Sequence, residues 1–140
     1  MPENKQQVLL SIKPAYAEKI FNGTKTVELR RSCLPIEDGD DLVVYVSSPV
    51  KAIMAIITIG KIVSGQPSLL WPKVSKFAGI SKHEFDEYYK GATIAFAIYI
   101  HRLQYLKKPI RLEDIRKRRK GFNPPQSYRY VDWNLLRQAQ

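Results

Sequence analysis

The chain has 140 residues, a length that suits a single domain with a core of its own. Lys and Arg number 23 against 13 Asp and Glu, a formal net charge of +10 that favours polyanionic partners, nucleic acid first. No apolar run reaches the roughly 20 residues of a membrane span. The polar opening MPENKQQ lacks the apolar core of a secretory signal. With one cysteine, Cys33, no internal disulfide can form, and the expected compartment is the cytoplasm.

In chain order, residues 7–13 (QVLLSIK) read as a strand, with Val8, Leu10 and Ile12 on one face and Leu9, Ser11 and Lys13 on the other. Pro14 suits a first helical turn, and the helix it opens ends at Gly23. TKTVELRR (24–31) is a second strand, with Val27 and Leu29 facing one way and Glu28 and Arg30 the other. After the turn-rich PIEDGDD, DLVVYVSS (41–48) is a third strand.

The apolar stretch 47–65 reads as a long buried strand, bent or bulged near Gly60. Pro67 starts a helix that Pro72 keeps short or broken. SKHE (81–84) has capping-box spacing and opens another helix, closed by Gly91. Residues 92–101 form a strand with Ile94, Phe96, Ile98 and Ile100 toward the core, and 102–112 a further strand with Pro109 at an edge or end. LEDIRKRRK is a short basic helix or loop. GFNPPQSYRYV is rigid and aromatic, and Asp132 caps a last helical turn or two. Neither repeats nor composition breaks mark a second domain, so the expectation is one α+β domain over residues 1–140.

Several chemistries drop out. The chain has no glycine-rich phosphate loop and no GxSxG elbow. His83, His101 and Cys33 make a poor zinc set, and the histidines read as surface residues. Cys33 has no evident activating partner beyond local positive charge. No metal or other cofactor is expected.

What remains is polar residues carried on strands. Ser11 and Lys13 leave one face of the first strand, and Glu28 and Arg30 one face of the second. Lys25 is expected exposed at the mouth of the site. One reading is salt bridges on a solvated sheet face. The other is an anion grip, because a planar guanidinium beside an ammonium suits phosphate and one carboxylate does not neutralise Lys25, Arg30 and Arg31. NPPQSYRY is either a stiff closing tail or a wall on which a base stacks through Tyr128 or Tyr130, with Gln126 and Ser127 bonding its edge. Arg116–Lys120 (RKRRK) is either a solvated run or a track for a nucleic-acid backbone.

SIKPAYAEKIFNGTKTVELRR resembles the opening motif of ASCH domains, small members of the PUA-like superfamily: SIKP, a helix, then G-x-K-x-x-E-x-R-R. VYVSSPV resembles the family's next strand with its Ser-Pro turn, which adds Ser48 to the candidate site. PPQSYRY resembles the closing segment of one subgroup. The resemblance implies a curved PUA-like β-barrel of about five to six strands with packed helices, and a cleft at Lys25, Glu28 and Arg30. It also implies RNA binding, with phosphate meeting Lys13, Lys25 or Arg31.

Some family members are enzymes, amidohydrolases of N4-acetylcytidine or ribonucleases. Of the amidohydrolase triad, the lysine aligns with Lys25, the threonine falls on Glu28, and the glutamate falls near Lys76 to Ala78, so one of three is matched. The first reading is therefore a module that grips single-stranded or modified RNA. The alternative is an enzyme acting on RNA or a modified nucleoside, with Lys25 and Glu28 catalytic. Oligomeric state is not legible.

Overall fold

β-Branched and aliphatic residues concentrate in six segments that pair into one mixed sheet, in the order β2-β5-β4-β3-β1-β6. The computed structural model describes residues 6–138. The strands are β1 (Gln6–Ile12), β2 (Val27–Arg30), β3 (Asp41–Val46), β4 (Ala52–Gly65), β5 (Ala95–Arg111) and β6 (Tyr128–Asp132). The helices are α1 (Pro14–Phe21), α2 (Pro67–Val74), α3 (Lys82–Tyr88), α4 (Leu112–Arg118) and α5 (Trp133–Arg137). The fold is α+β, curved rather than closed, with β2 and β6 at the two edges.

β1 lies between β3, to which it is parallel, and the edge strand β6, and is covered on both faces, which is why Val8, Leu9, Leu10 and Ile12 all carry apolar side chains. Val8, Leu10 and Ile12 pack with Ala17 and Ile20 of α1, while Leu9 packs with Ile115, Phe122 and Leu136 on the other side. Each such Leu or Ile, taken fully out of water, contributes about 1.5–3 kcal/mol. A third cluster seats α2 and α3 on β2 and β5 through Val27, Leu29, Leu70, Val74, Phe85 and Ala97.

Bulges bend the β4–β5 ribbon, with register shifts flanking Ile59 beside the expected kink at Gly60. The capping box of α3 is formed in both directions between Ser81 and Glu84. α2 starts at Pro67 and runs eight residues with Pro72 inside it. Asp132 caps α5 by accepting from the Leu135 N–H.

Four expectations are corrected. Residues 102–111 continue β5 rather than forming a separate strand, because β4 is long enough to pair with all of it. Residues 47–50 form a turn containing the cis Ser48–Pro49 bond, so β4 begins only at Ala52. Ile94 is exposed, and Ala95 and Ala97 instead reach the cluster under α2 and α3. The closing segment includes a true strand, β6, held by pairing with β1 rather than by apolar alternation of its own.

Candidate functional site

Three elements bring the charged motif under cover. Gly23, at φ 85°, ends α1, and the chain then turns into β2. The segment after α2 lies across the start of β2, where the Thr26 and Val27 N–H groups donate to the Phe77 carbonyl. Gly79, at φ 66°, passes so close that a Cβ there would stand 2.8 Å from the Lys25 Cβ. Only a residue without a side chain fits that approach.

Lys25 is therefore buried, at 3% exposure, not open at the mouth as its place before a strand suggested. Its Nζ donates to the Ala78 carbonyl at 2.6 Å, lies 3.8 Å from Glu28 Oε1, and stands 5.3 Å from the centre of the Tyr16 ring. Glu28, 5% exposed, accepts through Oε2 from Arg30 Nη2 at 2.7 Å. The same Nη2 donates to the Ser11 carbonyl at 2.9 Å, tying β2 to the end of β1. Arg30 Nε is buried and has no hydrogen-bond partner among the described residues, an uncompensated donor in the network.

Burial pushes the Lys25 ammonium below its usual pKa. Lys19 and Arg30 push the same way, and Glu28 only partly offsets them. The Tyr16 phenol is pushed up, first by burial and then by Glu84 and Glu28. Tyr88 is raised by its burial as well, and its hydroxyl donates to the Leu29 carbonyl at 3.3 Å.

These groups line a cleft of about 180 Å³, bounded by Ser11, Lys13, Tyr16, Tyr88 and Gln126, with Lys25, Glu28 and Arg30 among its lining residues. Ser11 is held at its rim, its hydroxyl donating to the Pro125 carbonyl at 2.7 Å and its N–H to the Ser127 carbonyl at 2.9 Å. Lys13 and Gln126 are exposed. The cleft thus presents an ammonium and an amide at its entrance, two phenols on its walls, and two cations with one carboxylate below.

Of the residues singled out from sequence, Ser11, Lys13, Lys25, Glu28, Arg30 and Gln126 come together here. Arg31 and Ser48 are exposed and do not line the cleft, Ser127 contributes its backbone at the rim, and Tyr128 is exposed on β6 beyond it. Tyr16, Tyr88 and the Ala78 carbonyl were missed. The signal for Tyr16 is its place in the first turn of a helix that follows Lys13 directly; the other two arrive from distant segments. Of residues 76–78, where the amidohydrolase glutamate aligns, Ala78 meets Lys25, with its backbone carbonyl and not a carboxylate. Among the described residues no group of three or more His, Cys, Asp or Glu side chains is placed to hold a metal ion. No helix among them is long and apolar enough to cross a membrane.

Comparison with known proteins gives consistent matches. The ASCH domain family model matches residues 10–116. An ASCH domain-containing ribonuclease of Zymomonas mobilis is 30% identical over 131 residues, 94% of this chain and 87% of that protein. Large ribosomal subunit protein uL22 of Ureaplasma parvum is 28% identical over 107 residues, which span 34% of its length. The crystal structure of ASCH from Zymomonas mobilis superimposes with a TM-score of 0.84 at 28% identity, over 94% of this chain and 92% of that one. The motif around Lys25, the α+β sheet and these matches agree: the chain belongs to the ASCH domain family.

Proposed function

We propose that the chain is a single ASCH domain that binds single-stranded RNA in the Lys25–Glu28–Arg30 cleft and cleaves it there. The observation that carries this reading is the burial of two cations and a carboxylate at an open cleft. Buried charge is costly, and perturbed ionisable groups gathered in a cleft are the usual mark of a working site. The name ribonuclease on a relative that aligns over 94% of the chain supports RNA as the substrate, and so does the net charge of +10.

The groups suit an internal transesterification. The Glu28 carboxylate takes the proton of a ribose 2′-hydroxyl, and that oxygen forms a bond to the neighbouring phosphorus. As the bond from phosphorus to the 5′-oxygen breaks, the Lys25 ammonium gives a proton to the leaving oxygen. The products are a 2′,3′-cyclic phosphate and a free 5′-hydroxyl. The positive charge of Arg30 and Lys25 stabilises the phosphorane between them. A depressed lysine pKa makes Lys25 a readier acid than an ordinary surface lysine.

A second reading is favoured by one observation: both Glu28 oxygens already face cations, so the carboxylate can serve only to hold them in place in a binding module. Deacetylation of a modified nucleoside has less support, because the Ala78 carbonyl meets Lys25 where the amidohydrolase triad's glutamate aligns.

The test is fluorescent single-stranded RNA titrated with wild type and Glu28→Gln, followed by anisotropy and by denaturing gel. Expected are cut RNA with wild type and cleavage slowed ~100-fold or more in the variant, the usual size of a general-base effect. Bound but intact RNA would establish the binding module. Neither binding nor cutting would overturn the RNA assignment.

A further inference from the structure

The closing segment leads out of the cleft. Gln126 stands at the cleft wall, and two residues later the chain enters β6, an edge strand paired on one side only with β1. Along β6, alternate residues face alternate sides. Tyr128 and Tyr130 share one face, at 37% and 49% exposure. Their centroids are 6.4 Å apart with planes at 85°. Arg129 turns the other way, its guanidinium 4.4 Å from the centre of the Phe122 ring.

Resting on the RNA reading above, we propose that Tyr128 and Tyr130 form a stacking ladder for unpaired nucleotides adjoining the one held in the cleft. Aromatic faces are the sequence-tolerant way to hold single strands, since every base has a π-face. Two features fix the class of ligand. Same-face positions on a strand recur at about 7 Å, twice the roughly 3.4 Å rise of stacked bases in a duplex, so only an extended strand keeps step with them. The rings also stand nearly perpendicular, so bases meeting them are turned out of each other's stack. A helix cannot supply such bases, and a free nucleoside would not reach them from the cleft. The substrate is then a polymer of at least three nucleotides, single-stranded beside the point of cleavage.

The experiment measures anisotropy of a labelled adenosine hexamer, a labelled adenosine mononucleotide and a labelled RNA hairpin stem with the full chain. Strand integrity is checked on a denaturing gel and the fold of each variant by thermal melting. Tyr128→Ala and Tyr130→Ala should each weaken hexamer binding about tenfold, within the range of a lost base stack, with the double variant weaker still. The Tyr→Phe double variant should bind within about twofold of wild type, because the ring and not the hydroxyl does the stacking. Tyr→Leu, which keeps apolar bulk on the strand, should lose as much as Tyr→Ala. Mononucleotide and stem should be indifferent to all of these changes. Hexamer affinity unchanged in the double Ala variant, or Phe failing to restore it, would overturn the ladder and leave the cleft standing. A wild-type protein that ignores the hexamer would overturn both.

Discussion

Two clusters of charge stand out in this chain, Lys25–Arg31 and Arg116–Lys120, and the fold treats them in opposite ways. The first is roofed by the segment after α2 and by Tyr88 of α3, so that Lys25, Glu28 and Arg30 keep only 3%, 6% and 11% of their side-chain surface. The second is exposed throughout. It gathers at the end of α4, where cations complement the helix C-terminus, and has exposed partners: Lys117 with Asp114 and Arg118 with the Gln138 carbonyl. Charge density is therefore a poor guide to a site. Buried cations need partners close by, and it is the burial, only partly offset by the Glu28 partner, that lowers the Lys25 pKa; the exposed run makes no comparable demand on the fold.

The contrast is broken most severely by removing the carboxylate. Glu28→Ala leaves Lys25 and Arg30 buried without their shared anion, and urea denaturation should show a loss of about 3–5 kcal/mol. A loss below about 1 kcal/mol would mean that the cations swing out to water, as surface charges can. Next comes the roof. Gly79→Ala places a Cβ 2.8 Å from the Lys25 Cβ at a positive φ, and should cost about 1–3 kcal/mol while slowing the proposed cleavage. Unchanged stability would show that the roof shifts freely.

A smaller effect is the pH dependence of Lys25. Its folded pKa lies below its ordinary 10.5, so between those two values the unfolded chain binds more protons than the folded one. Stability should therefore gain from Lys25 as pH rises through that window. Below it, both states carry the proton and the cost of burying the cation is constant. Comparing urea midpoints of wild type and Lys25→Met across alkaline pH isolates the slope. Parallel curves would mean that Lys25 titrates as an exposed lysine.

Much of this was readable from residues close in sequence. The alternation in β1 and β2, the Ser81–Glu84 cap and the Asp132 cap all depend on neighbours within four positions, and all are present. So was the convergence of Ser11, Lys13, Lys25, Glu28 and Arg30, because one helix links the two strands that bear them. The burial of Lys25 was not, since it is decided by Ala78, 53 positions away. β6 escaped for a similar reason: Tyr128, Arg129 and Tyr130 carry no apolar alternation, and the strand exists because β1 offers it an edge. The continuity of β5 depends on the length of β4, which its own sequence does not disclose.

The smallest expected effect tests the exposed cluster itself. Replacing Arg118, Arg119 and Lys120 by Gln should leave the urea midpoint where it is, because exposed charges add little to stability. Its consequence for RNA depends on geometry. Arg116 Nε donates to the Phe122 carbonyl, and Phe122 packs under Arg129, on the side of β6 away from Tyr128 and Tyr130. A strand that follows the tyrosines out of the cleft thus runs along the face opposite the basic one. The dependence of log affinity on log salt should keep its wild-type slope in the triple variant. Three lost phosphate contacts would instead flatten that slope by about 2, since each contact on a single strand contributes about 0.7. A flattening of that size would place the RNA around both sides of β6, and the distinction between a working buried cluster and an ordinary exposed one would fall.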